Sequence, residues 1–159
     1  MARNWDEHYA DAANVESAPE PLLVQVADLL PAGKALDLAC GAGRHTFWLR
    51  EHGWEVTAVD RDGFPGSVRA DLEQGEFLIQ PGAWDLIVCW LYWQPSLLPA
   101  IARGVRAGGV VAIAGKTTGR FALTLEQLRA GFPGWTEIAS GESELRAFLI
   151  VRRGEKAID

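Results

Sequence analysis

Leu22, Leu23, Val26, Ala27 and Leu30 recur at helical spacing, with Gln25 and Asp28 off the stripe, and Pro31-Ala32-Gly33 ends the pattern. Lys34 to Ala39 then reads as a short strand running into the turn Cys40-Gly41-Ala42-Gly43. Arg44 to His52 fits a helix, with Gly53 placed for a left-handed C-terminal cap. Trp54 to Asp60 is rich in β-branched residues and predicts a second strand. A short third strand runs from Ser67 to Ala70, and a fourth, Asp85 to Cys89, is almost wholly apolar, as a central parallel strand must be. Ser96 to Arg106 predicts a helix, Val110 to Ala114 a fifth strand, and Leu123 to Ala130 another helix. Thr136 to Ser140 and Leu145 to Val151 predict a closing hairpin.

Strands alternating with helices through short connections predict an α/β fold: a three-layer sandwich around a mostly parallel Rossmann-like sheet, with an antiparallel C-terminal hairpin. At 159 residues the chain suits a single domain over 1–159, with 1–20 as an N-terminal arm. The longest apolar run, Leu86 to Tyr92, is far short of the roughly 20 residues of a membrane span. Met1 to Asp6 is polar and lacks the apolar core of a signal peptide, so a cytoplasmic location is expected. Fifteen Lys and Arg stand against 21 Asp and Glu, with no basic run, which weighs against nucleic-acid and anionic-membrane partners. Cys40 and Cys89 have no metal-ligand spacing and lie in or beside apolar segments, so neither a metal site nor a disulfide is expected.

The polar residues that remain gather at strand ends. Asp37, Gly41 and Gly43 close the first strand, Asp60 closes the second seventeen residues after Gly43, and Asp71 follows the third. Open α/β sheets bind ligands beyond the carboxyl ends of their strands. Glycines there admit a ligand close to the backbone, one carboxylate can accept both hydroxyls of a ribose, and another can accept an exocyclic amine. The layout describes a slot for an adenosine. As a dinucleotide fingerprint it departs, because Thr46 stands where a third glycine belongs and Asp37 would repel a pyrophosphate.

Leu36-Asp37-Leu38-Ala39-Cys40-Gly41-Ala42-Gly43 resembles the first motif of class I S-adenosylmethionine-dependent methyltransferases. Val59-Asp60 resembles the second motif, Ala70-Asp71-Leu72 the third and Trp84 to Cys89 the fourth, while Arg106 to Val111 resembles the turn into strand five. The stretch from Asp37 to Asp60, together with Trp5-Asp6-Glu7-His8-Tyr9, is similar to a subgroup that includes the tellurite-resistance methyltransferases. The resemblance implies S-adenosyl-L-methionine as cofactor. It implies that Asp37, Ala39, Gly41 and Gly43 line its methionine and ribose portion, with Arg44 facing the carboxylate. It further implies Asp60 on the ribose hydroxyls, Asp71 and the Leu72 backbone at the adenine, and the Cys89 backbone at the amino group.

For the acceptor, the resemblance points to Trp90, Tyr92 and Trp93 after strand four and to Lys116 after strand five; packing inside the core is the competing role for Trp90 and Trp93. No catalytic residue is assigned. His8, His45 and Lys116 are the neutral-pH base candidates near strand ends, and direct methyl transfer has no obligatory base. The absence of an Asn-Pro-Pro-Tyr-like segment after strand four argues against amino methylation of adenine or glutamine. A small-molecule acceptor is expected.

One departure bears on this. Only six residues, Arg61 to Gly66, join Asp60 to Ser67, where the family places a helix. They reach about 20 Å, enough to run back along a short strand but not to build a helix. A missing covering helix predicts an uncovered sheet edge, with Phe64, the N-terminal arm or a second copy in a homodimer as candidate covers. It also keeps a second function open, a cofactor-binding or scaffold protein trimmed beyond turnover.

Overall fold

The computed structural model describes residues 18–155, so Trp5, His8 and Tyr9 of the arm lie outside the described residues. Helix α1 (Pro21–Asp28) leads to β1 (Lys34–Leu38), α2 (Arg44–Glu51), β2 (Glu55–Asp60) and the two-residue β3 (Val68–Arg69). A 3-10 turn over Leu72–Gln74 precedes β4 (Trp84–Trp90), and α3 (Leu98–Gly104) precedes β5 (Val105–Lys116). Helix α4 (Leu125–Ala130), β6 (Thr136–Glu142) and β7 (Arg146–Arg152) follow. The seven strands lie in the order β3-β2-β1-β4-β5-β7-β6. The first five are parallel, and β7 runs antiparallel to both β5 and β6, so the predicted hairpin inserts its second strand against β5.

Parity along the strands builds the three layers. Leu86, Val88 and Trp90 of β4, with Val110, Ala112 and Ala114 of β5, face Leu23, Val26 and Ala27 of α1 and Leu49 of α2. The alternate residues Ile87, Cys89, Val111 and Ile113 face Ile101 of α3 and Leu128 of α4. A strand buried on both sides has no polar position to spare, which is why β4 reads as a continuous apolar run.

Four elements differ most from their sequence reading. The helix expected to Arg106 stops at Gly104, and β5 starts at Val105, which pairs with Trp84 before an irregularity brings Val110 opposite Leu86. Gly109 is pressed against Val105 and the Asp85 carbonyl, so the chain closes tightly enough there to extend the ladder. Strand β6 continues through Gly141 to Glu142, moving the hairpin turn to residues 143–145. Helix α4 starts two residues late because Thr124 caps it: its hydroxyl accepts from Gln127 N–H while the Gln127 side chain accepts from Thr124 N–H.

The short connection after β2 contains no helix, and Phe64 fills part of the gap. Its ring is 9% exposed, packs with Cys40 and Ala58, and meets Phe47 of α2 with 4.7 Å between centroids. The Arg50 guanidinium lies 6.0 Å from the same ring. Phe47 stays 46% exposed and Val68 41%, so the plug covers the base of the edge and leaves its rim in solvent. Truncating a buried phenylalanine leaves a cavity that its neighbours only partly fill. Phe64→Ala is expected to cost about 3 kcal/mol in urea unfolding, and Phe47→Ala clearly less; equal costs would show that the plug does not close this edge.

Candidate functional site

Two cavities open side by side at the carboxyl ends of the strands. The first, about 250 Å³, lies over β1, β2 and β3 and is lined by Ala39, Asp60, Asp71 and Leu72, with Arg61, Asp62, Ala70, Glu73 and Tyr92. The second, about 550 Å³, lies over β4 and β5 and is lined by Leu91, Tyr92, Trp93 and Lys116, by Thr118 to Phe121, and again by Glu73. Tyr92 and Glu73 therefore form a wall common to both.

Asp60 organises the first cavity. Its Oδ2 accepts from Gly41 N–H at 3.0 Å, and its Oδ1 accepts from Asp62 and Gly63 N–H at 2.9 and 3.1 Å. Partial burial opposes its charge, but the N–H groups of Asp62, Gly41 and Gly63 outweigh that and hold the carboxyl below its usual range. Each carboxylate oxygen has two acceptor directions; Oδ1 has both filled, so the one left for a ligand is on Oδ2. Gly41 has φ +56°, and the space where a Cβ would project is empty to 4 Å. Ala39 takes φ 54°, a left-handed conformation that is strained for a residue with a side chain. Asp71 caps the following 3-10 turn through a 2.9 Å bond from Glu73 N–H. An adenosine-like group fits these residues: an ionised acceptor at Asp60 and a second carboxylate, Asp71, in the same lining, with unobstructed backbone at Gly41, which is bonded to Asp60.

The remaining candidates separate. Asp37 lies beneath the turn, 2% exposed, and its Oδ2 accepts the Thr46 hydroxyl at 2.7 Å. That bond ties β1 to α2. A side chain at Gly43 would strike Phe47 and Phe64, so that glycine makes room for the plug at φ +94°. Arg44 is half-buried at the start of α2. The Cys89 side chain is in the core, its thiol pushed up to about 12 by burial, which leaves only its backbone for a ligand.

Tyr92, Trp93 and Lys116 all reach the second cavity, whereas Trp90 is buried on the α1 and α2 side of the sheet. Even parity along β4 dictates that side. There Trp90 meets the edge of His45 and lies 5.7 Å from the Arg146 guanidinium. Arg146 makes a two-bond fork to Glu20 at 3.0 and 3.1 Å, and Glu20 N–H donates to His45 Nε2. That acceptor role and 4% exposure remove His45 from the base candidates.

Sequence reasoning missed Glu73, Arg120 and Phe121, which lie in loops or turns without motif or period. It also missed Thr46 as the partner of Asp37; its inward position on α2 was the available signal. Tyr92 donates to Gln94 Oε1 at 2.6 Å, and Gln94 Nε2 donates to the Leu72 carbonyl at 3.2 Å, fastening the common wall to the first cavity. Burial pushes the Tyr92 hydroxyl up to about 12, so it acts as a donor.

Two buried groups titrate against each other. Burial raises Asp37 to about 6, so the fold takes up a proton that the unfolded chain does not, and Asp37's contribution weakens as pH rises from about 4 to 6. Burial lowers His45 to about 4, so the unfolded chain protonates first, and stability is lost as pH falls from about 6.5 to 4. The slopes oppose, and unfolding free energy in urea should be nearly flat across that window. Asp37→Asn should expose the acid-side loss from His45, and His45→Gln the opposite slope; a profile unchanged by either variant would contradict both assignments.

A family model described as tellurite resistance protein TehB matches residues 3–78. No curated protein matches the chain. Among solved structures, TehB from Haemophilus influenzae superposes with TM-score 0.72 at 17% identity, covering 85% of this chain and 62% of that one. The present chain thus spans about three fifths of that protein's length. The Burkholderia thailandensis 1,6-didemethyltoxoflavin-N1-methyltransferase, solved with 1,6-didemethyltoxoflavin and S-adenosylhomocysteine, gives TM-score 0.63 at 19% identity, covering 94% and 85%. Magnesium protoporphyrin IX methyltransferase from Synechocystis PCC 6803, solved with bound S-adenosylmethionine, gives 0.62 at 15%, covering 97% and 86%. The chain shares the fold of these structures, two of them methyltransferases by name, and its residues 3–78 match the TehB family model.

Proposed function

We propose that the chain binds S-adenosylmethionine in the first cavity and methylates a small molecule held in the second. The observation that carries this reading is the wall that both cavities share at Tyr92 and Glu73. Asp60 takes the ribose hydroxyls, Asp71 and the Leu72 backbone meet the adenine, and the Gly41 turn admits the rest. Ala39 lines the slot beside them, and the Cys89 backbone serves the amino group. The cofactor supplies a methyl group on a positively charged sulfur, already activated for direct displacement. What the protein adds is alignment of the nucleophile and exclusion of water, contributed here by Tyr92, Trp93 and Leu91. Tyr92 is well held for both, because its ring stands between the cavities and its hydroxyl is tied to Gln94. The H. influenzae, B. thailandensis and Synechocystis structures support the fold beneath this reading, and the acceptor is read from this chain's own second cavity.

S-adenosylhomocysteine at 100 times its dissociation constant should stabilise the fold by about 2.7 kcal/mol. Asp60→Asn, which keeps one oxygen and removes the charge, should weaken its binding by roughly 1.5–3 kcal/mol in calorimetry. Unchanged affinity would remove Asp60 from the ribose. Release of S-adenosylhomocysteine across an acceptor panel then separates an enzyme from a trimmed binding protein, which would bind the cofactor without turning it over.

A further inference from the structure

The connection from β5 to α4 is a built loop. Leu123 N–H donates back to the Lys116 carbonyl at 3.0 Å, and Ala122 N–H to the Gly119 carbonyl at 3.3 Å, so the chain returns on itself. Leu123 is 2% exposed at the stem, seated against Gly115 beside Trp93, in a space that any side chain at position 115 would occupy. A closed stem fixes where the tip stands. The stem brings Lys116, and the tip Arg120 and Phe121, to the lining of the second cavity, and the Arg120 guanidinium lies 5.4 Å from the Phe121 ring centroid. Among the described residues neither cation forms an ion pair, in a chain of net charge −6. Trp93 and Tyr92 supply flat apolar surface from the β4 side.

We propose that the second cavity takes a flat organic anion, with its negative group toward Lys116 and Arg120 and its ring against Trp93, Tyr92 and Phe121. This rests on the acceptor role just given to that cavity. Size argues for it: about 550 Å³ lies within the range of pockets that enclose whole organic ligands, and an inorganic oxyanion would leave most of it to water. Charge gives it a direction. Glu73 enters from the wall shared with the first cavity and the two cations from the β5 loop, so an anion is turned with its charge away from the shared wall. The uncharged, nucleophilic end of the molecule is then the end presented to that wall.

The test is calorimetry on the full chain, titrated first with S-adenosylhomocysteine and then with 2-naphthoate, 2-naphthamide or selenite as probes. 2-Naphthoate should bind about tenfold more tightly than the isosteric amide, and selenite more weakly than either. Lys116→Met with Arg120→Met, both on exposed positions, should bring naphthoate to the affinity of the amide and leave S-adenosylhomocysteine binding unchanged. Equal affinity for naphthoate and naphthamide, naphthoate binding untouched in the double variant, or selenite binding more tightly than naphthoate each overturns the proposal. Naphthoate binding in a protein that fails to take S-adenosylhomocysteine supports the cavity assignment and overturns the methyltransferase reading instead.

Discussion

A single carboxylate holds the two turns that frame the first cavity. Asp60 receives N–H groups from Gly41, in the turn after β1, and from Asp62 and Gly63, in the turn after β2. Charge-assisted bonds of this kind are roughly twice as strong as neutral ones, and three on one side chain leave the two turns little freedom to part. Without that carboxylate the Gly41 turn would lose its anchor to the neighbouring strand, and the short connection toward β3 would lose the bonds that start it. Ala39, two residues before Gly41, is held left-handed beside the first of these turns, a strained conformation that fixed surroundings help to maintain.

The layers beneath the site were largely legible in the sequence. Leu86 to Cys89 has no polar residue, and only a strand covered on both faces tolerates that. The carboxyl-end placement of Asp60 and Asp71 followed, because turn residues locate strand ends more sharply than propensity does. What could not be read was which side chains share a cavity across loops. Arg120 and Phe121 sit on a loop whose course depends on two backbone bonds and on the seat of Leu123, none of which leaves a periodic trace. Trp90 shows the converse: its parity on β4 turns it to the α1 side, yet proximity in sequence to Tyr92 and Trp93 groups it with the cavity. Asp37 reads as a ligand residue by motif, and its bond to Thr46 was not legible there.

Burial of ionisable groups is concentrated in the turn after β1 and its surroundings. Asp37 bonds Thr46 of α2, while the neighbouring His45 joins Glu20 and Arg146 in a chain. Pairing offsets the desolvation of such groups without making them large net contributors to stability. Their effect is directional: they fix the start of α2 relative to α1 and β7, and so fix the orientation of the turn above.

The Gly43 position has a consequence for how this chain can vary. Its missing side chain is the space in which Phe47 and Phe64 meet, so this glycine is tied to the shortened connection after β2. A homologue that restores a helix there would relieve the glycine of the two rings and leave only its backbone conformation as a constraint. In the present chain the three residues form one unit of change. Substitutions among them should be accepted in combination more readily than singly, because each one sets the space that the other two can fill.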